Sequence, residues 1–381
     1  MKLKSLPLLF PLPLVATLGV SGIVEAAEDK TRISATVDAY YKSDNTALGG
    51  REDGFGLGHT ELSIQHQISD LFSARLTAIA EVNDVENNGD IEEAYLETLS
   101  LPAGLSVRAG RFLADLGYLN GQHSHADNFV ERPLVYRGFL GNHYFDDGLG
   151  VRAVLPTDIY WQLSAAAFTG DHLGNFESGP SVGAWTLATK VGDDIDESQS
   201  WQAGLSYLRN RMDLHAGHEE EHEEEEDHEH EEEHAGHSHG AAFSGEHMYI
   251  ADAVWKWSPS GNNKSQQLSV SAEYFKVTDI SPEAGAGDHD GWYTAAVYRF
   301  APEWSVGVRY GELNARQEHE EGVYENADLR ETTLMAAWNP THTQTVRLQY
   351  THQDAEGIEG EDNAVTLQYL ISFGAHDAHS F

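Results

Sequence analysis

The sequence predicts an all-β fold: a transmembrane antiparallel β-barrel of about 16 strands with long extracellular loops and short periplasmic turns. Three observations predict it. From residue 31 onward apolar side chains recur with period two rather than 3.6. The segments run to about ten residues, the length that spans a bilayer when tilted. The connections between them alternate between short and long, as in outer-membrane barrels and unlike a secreted β-sandwich. Past the N-terminal segment no apolar run is long enough for a spanning helix, so a membrane chain of this composition crosses with strands.

The elements follow in order. Residues 1–26 read as a secretory signal: Lys2 and Lys4 precede the apolar stretch Leu6 to Val24, and Val24-Glu25-Ala26 offers small side chains for cleavage after Ala26. Residues 27–381 are then the barrel. Strands are predicted near 31–41, 57–68, 71–83, 91–100, 104–112, 147–155, 159–169 and 183–191. The second half holds 199–209, 247–257, 266–278, 291–300, 303–312, 329–339, 342–352 and 363–373. In the third, Phe72, Ala74, Leu76, Ala78, Ala80 and Val82 alternate against Ser73, Arg75, Thr77 and Glu81. The other parity faces a lumen of mixed charge, with Arg75, Arg108, Arg299, Arg309 and Arg347 set against Glu61, Glu81, Glu97 and Glu273, as in a water-filled pore. All eight Trp lie near predicted strand ends or on lipid-facing positions, where amphipathic rings favour the interface, and the chain ends on the aromatic Phe381. An even strand number puts both termini on the periplasmic side of a Gram-negative outer membrane, in contact with its lipid.

Composition narrows the function. The 381 residues carry 62 Asp+Glu against 23 Lys+Arg, a formal net charge of −39, with 21 His and no Cys. No basic face exists to neutralise nucleic acid, and disulfide or thiolate-metal chemistry is excluded. Disorder throughout is excluded by 40% apolar and 10% aromatic residues.

One stretch carries a family likeness. Gly110-Arg111-Phe112, Leu116-Gly117, Phe129-Val130-Glu131-Arg132-Pro133-Leu134 and Gly148-Leu149-Gly150-Val151 together resemble the phosphate-selective porin (O/P-like) family over roughly 40 residues. The resemblance implies a 16-stranded, usually trimeric channel whose third long loop, here 113–146, folds into the pore and constricts it. The loop departs from the anion-selecting pattern. It holds Arg132 and Arg137 but no Lys, alongside Asp115, Asp127, Glu131, Asp146 and three His. The resemblance therefore carries architecture and not substrate.

The sharpest chemical signal is the outer loop 213–246. Within residues 215–239, eight of 25 are His (His215, His218, His222, His228, His230, His234, His237 and His239) and twelve are Asp or Glu. No apolar side chain larger than Ala is present there, so the tract has nothing to pack with and should be disordered without a ligand. Imidazole with carboxylate is a borderline ligand set for Zn²⁺, and also for Ni²⁺ or Cu²⁺. The two H-E-x-x-H matches, at 218–222 and 230–234, follow from composition and lack the buried helix a metalloprotease requires, so no enzymatic activity is expected. His123, His125 and His143 in loop 113–146 are secondary candidate metal ligands if that loop enters the pore; hydrogen bonding to the barrel wall is the plainer expectation. His319, His376 and His379 are weaker still.

The expected function is an outer-membrane, porin-like channel whose His/Glu loop captures loosely bound divalent metal for zinc uptake into the periplasm. The competing expectation is a general or anion-selective porin whose acidic loop is only a surface metal buffer or shield. Removing the signal changes the charge to −40, of which −12 lies in 215–239, leaving −28 on the rest of the mature chain. That field disfavours anions.

Overall fold

The computed structural model describes residues 30–83, 87–170, 173, 182–211, 241–281, 286–320 and 323–374. Sixteen strands are present: β1 Thr31–Lys42, β2 Gly54–Gln67, β3 Phe72–Val82, β4 Asn87–Thr98, β5 Leu105–Leu113, β6 Phe145–Val154, β7 Tyr160–Phe168 and β8 Ala184–Asp196. They continue as β9 Gln199–Asn210, β10 His247–Trp257, β11 Gln267–Thr278, β12 His289–Ala301, β13 Trp304–Glu320, β14 Val323–Thr341, β15 Gln344–Glu356 and β16 Asn363–Gly374. Each pairs antiparallel with its sequence neighbours, and β1 closes on β16 with Val37 opposite Ile371. Closure leaves no free strand edge, which is what allows a sheet to sit in hydrocarbon with every ladder bond made.

The period-two pattern becomes two faces. Ile33, Leu62, Leu76, Leu149, Leu205, Leu334, Leu348 and Leu367 point outward and are exposed around the barrel. An apolar belt of this extent is stable only against lipid, so the fold is a transmembrane barrel. Trp304 and Trp338 stack on that surface with ring centroids 6.0 Å apart, near the short-turn end. Among the described residues no helix is long and apolar enough to cross a membrane.

Strand ends depart from the sequence pattern where lipid no longer imposes it. β13 and β14 form a hairpin that runs on to Glu320 and Val323, through most of the stretch predicted as loop 313–328. Ladder bonding continues there without apolar alternation. β8 likewise extends to Asp196, shortening a predicted seven-residue connection to a tight turn.

The segment between β5 and β6 packs against the inner faces of the strands. It contains one helix, α1 Leu134–Leu140, whose seven residues are all buried. Gly141 ends α1 in the left-handed conformation. The entry of the loop depends on Gly117, which has φ +58°; a Cβ there would sit 2.2 Å from the Glu273 carboxylate and 2.6 Å from the Tyr136 hydroxyl.

This insertion confines the expected mixed-charge lumen to part of the barrel. On β10, β11, β13 and β14 the long-loop half turns apolar residues inward: Met248, Ile250, Phe275, Val277, Leu313 and Leu329 are buried and pack in one cluster with Tyr136, Phe139 and Leu140. Burial of α1 requires only the inner face of these strands to be apolar where it packs; on β13 and β14 the outward neighbours of Leu313 and Leu329 are Glu312, Asn314, Asp328 and Arg330. The mixed-charge lumen survives below the loop, at the short-turn end.

Candidate metal centre

The polar side of the inserted loop rests on β1–β4, and there the sequence places imidazole and carboxylate together. His59 and Glu61 come from β2, Glu92 and Glu93 from β4, and His123, His125 and His143 from the loop. Two irregularities in the ladders aim the wall residues. Between Leu57↔Val82 and Thr60↔Ala80 the β2–β3 register shifts, and Gly58 and His59 are both buried in succession. Between Thr77↔Glu93 and Ala78↔Ile91 the β3–β4 register shifts and Glu92 is left without an opposite residue. A bulge of this kind re-aims a side chain, so the consecutive Glu92 and Glu93 both face inward, at 0% and 3% exposure.

The distances are short. His123 Nδ1 lies 2.8 Å from Glu92 Oε2 and 3.2 Å from Glu61 Oε2, while its Nε2 lies 3.2 Å from Glu93 Oε2. His125 Nδ1 lies 3.1 Å from Glu61 Oε2. His143 Nε2 approaches Glu92 Oε1 to 2.8 Å, and His59 Nε2 approaches the same oxygen to 3.6 Å. Glu93 is held in turn by the Thr77 hydroxyl, which donates to it at 3.0 Å. The rings of His123 and His125 stack at 5.8 Å, and those of His59 and His143 meet edge-on at 5.4 Å.

The two buried loop imidazoles diverge. Burial opposes a charge on His123, yet Glu92, Glu61 and Glu93 outweigh it and hold the ring well above its ordinary value. For His143 burial wins over the pull of Glu92, and its value falls. The carboxylates that favour a proton on His123 would equally favour a metal cation in the same place.

Below the cluster a cavity of about 960 Å³ opens towards the short-turn end. Glu61, Glu93, His123 and His125 line its roof. Its walls bring in Glu97, Asp115, Asp193 and Asp194 with Arg75, Arg108, Arg152 and Lys190, so six carboxylates face four cations. Three of the cations are already paired: Arg108 with Glu97 at 3.3 Å, Arg152 with Asp115 at 2.8 Å and Arg75 with Glu93 at 3.5 Å. The loop arginines are equally engaged. Arg132 Nε donates to Asp127 at 2.9 Å, and Arg137 bonds Glu331 and lies 3.5 Å from Glu131.

Of the residues singled out from sequence, His123, His125 and His143 therefore meet in one place. His215, His218, His222, His228, His230, His234, His237 and His239 lie outside the described residues, as do His376, His379 and the side chain of His319. Sequence parity had marked Glu61 as facing the lumen but had not connected it with His123. It missed His59 and Glu92 altogether, because a register shift is invisible to a period-two count.

Comparison with known proteins bears on the fold. No family model matches the chain. An uncharacterized protein of Aquifex aeolicus (strain VF5) is 25% identical over 356 residues, 86% of this chain and 70% of its own length. Among solved structures, OmpT of Vibrio cholerae in a trimer form is similar with a TM-score of 0.56 at 10% identity, covering 90% of this chain and 99% of that one. Salmonella typhi OmpF, solved with daunomycin, gives 0.56 at 12% identity over 91% and 99%. The anion-selective porin of Comamonas acidovorans gives 0.54 at 12% identity over 91% and 99%. The fold is that of the outer-membrane porins.

Proposed function

We infer that this chain is an outer-membrane diffusion channel that admits cations, and that its outer loop collects divalent metal, with zinc the leading cargo, for delivery to the periplasm. The observation that carries the reading is the vestibule beneath the inserted loop, where carboxylates outnumber cations and three of the four cations are spent on ion pairs. Such a lining concentrates cations and repels anions such as phosphate. The porin-like fold and the belt of exposed leucines support residence in the outer membrane, with the short turns and the vestibule on the periplasmic side. The trimer form of the similar OmpT supports a homotrimer here. The His-rich tract 215–239 supports metal capture by composition, through weak sites that exchange rather than trap.

Two measurements test this. Reversal potentials across a planar bilayer under a salt gradient should show cation preference for the purified chain; anion preference would overturn the channel's proposed selectivity and favour a phosphate-type porin. Deletion of 215–239 should slow growth under zinc limitation and leave it unchanged in replete medium. Equal growth of deletion and parent under limitation would remove the zinc role and leave the loop as a surface buffer.

A further inference from the structure

We propose that His59, Glu61, Glu92 and His123 form a divalent transition-metal site between the barrel wall and the inserted loop, with Zn²⁺ the ion their donor set fits best. One ligand atom from each lies within 4.8 Å of the others. Two imidazole nitrogens and two carboxylate oxygens make a borderline set that suits Zn²⁺. Ca²⁺ and Mg²⁺, which take oxygen donors in larger number, are disfavoured. Zinc bonds of about 2.0–2.2 Å would draw the donors together by roughly an ångström. His123 sits on the loop and can make that adjustment without breaking a strand ladder.

Two further observations point at an ion. His59 Nε2 is buried without a hydrogen-bond partner, on a residue 5% exposed, and faces the buried Glu92 Oε1 at 3.6 Å. The other neighbour of that oxygen is His143 Nε2 at 2.8 Å, whose Nδ1 is itself buried without a partner. A buried imidazole nitrogen left this way is costly, and an ion between it and the Glu92 carboxylate would satisfy it.

The outer contacts also have the arrangement that orients metal-bound imidazoles. With His59 ligating through Nε2, its Nδ1 faces Glu81 at 3.8 Å; with His123 ligating through Nδ1, its Nε2 faces Glu93 at 3.2 Å. Glu93 is itself steadied by Thr77. Two ligand carboxylates neutralise the ion, so the site needs no further counter-charge.

The site is closed on the side of His59, Glu92 and His143 and meets the vestibule at Glu61 and His123, where His125 lies 3.1 Å from Glu61. An ion would exchange with the vestibule by that edge. Its use as a transit station rests on the channel reading above; the site itself does not.

The test uses the full chain with all eight His of 215–239 replaced by Asn, so that the outer loop no longer binds zinc. Equilibrium dialysis against Zn²⁺ should leave one ion per chain, and Co²⁺ in its place should give a tetrahedral absorption spectrum. Glu92→Gln and, separately, His123→Asn should each lower zinc affinity at least about a hundredfold. His66→Asn, on the same strand but bonded to Thr31, should keep it. Heat-modifiable gel migration reports whether each variant has formed its barrel, and His123→Asn leaves the wall intact if Glu92→Gln does not fold. A parent that holds no zinc, or zinc retained equally by both cluster variants, overturns the site. Loss of the site with cation-selective conductance intact leaves the channel standing. Zinc bound by a chain that conducts nothing removes the channel and not the site.

Discussion

Residues 122–132 of the inserted loop, with Arg137, meet the barrel through charge and directed bonds, whereas Leu134, Val135, Phe139, Leu140 and the ring of Tyr136 meet it through rings and aliphatic side chains. On the first side Glu131 accepts from Lys42 Nζ at 2.9 Å, Val130 N donates to Gln349 at 2.8 Å, and His123 and His125 sit among Glu61, Glu92 and Glu93. On the second, Tyr136 packs edge-on to Phe275 at 5.2 Å, and Phe139 lies between Phe275 and His289, both at 6.2 Å. The two sides differ in what a small error costs. An apolar contact degrades gradually with lost area, whereas a buried charge that loses its partner bears the whole desolvation penalty. The loop is therefore seated by an apolar wall that tolerates change and registered by a polar wall that does not.

The largest effect expected on the polar side is at Glu331. It accepts from Arg137 and, at 3.0 Å, from Arg309, and Gln353 donates to it at 2.9 Å. Glu331→Ala leaves two buried guanidinium groups without that carboxylate, which costs roughly 3–5 kcal/mol. Amide exchange across 134–140 should accelerate by about two to three orders of magnitude, by mass-resolved hydrogen–deuterium exchange in detergent. Unchanged exchange would show that the apolar wall alone holds the loop.

Acid should separate the two sides next. Burial opposes the Glu131 carboxylate, but Lys42 and Arg137 outweigh it and hold it below its ordinary value of 4.5. A depressed folded value means the stabilisation is complete above about pH 4.5 and is lost as pH falls through the lower folded value. Exchange across the loop, taken relative to the intrinsic amide rate at each pH, should stay flat above pH 5 and rise only well into acid. Glu131→Gln should flatten the acid rise while raising exchange at neutral pH; an acid rise that persists in Glu131→Gln would assign it to another carboxylate.

The same contrast explains how much of the molecule was legible beforehand. Lipid forces alternation on every spanning strand, so all sixteen appear where period two predicts them, with ends displaced only beyond the belt, as at β13 and β14. The Glu131-Arg132 pair was legible as a motif, and its burial against Lys42 and Asp127 gives that motif a physical role as an anchor. The apolar inner wall was not, because Tyr274-Phe275 and Met248 to Ile250 read as ordinary strand sequence unless one knows that a helix fills the lumen. Of the candidate site, the loop imidazoles could be found from residue type and loop position. His59 and Glu92 could not, since their direction is set by register shifts that arise only when three strands pair.

The smallest effect should come from the centre of the apolar wall. Phe139 is fully buried, but its neighbours are a ring, an imidazole and aliphatic side chains rather than a charge that needs it. Phe139→Leu keeps an apolar group of somewhat smaller volume, so the cost is lost contact area and a partly collapsed cavity, about 1–1.5 kcal/mol. Exchange across 134–140 should then rise only about tenfold, and zinc binding at the polar wall should be unaffected because no residue of α1 enters that cluster. A hundredfold rise, or coupled loss of zinc, would mean that the two walls act as one cooperative unit, with apolar seating setting the geometry of the polar side.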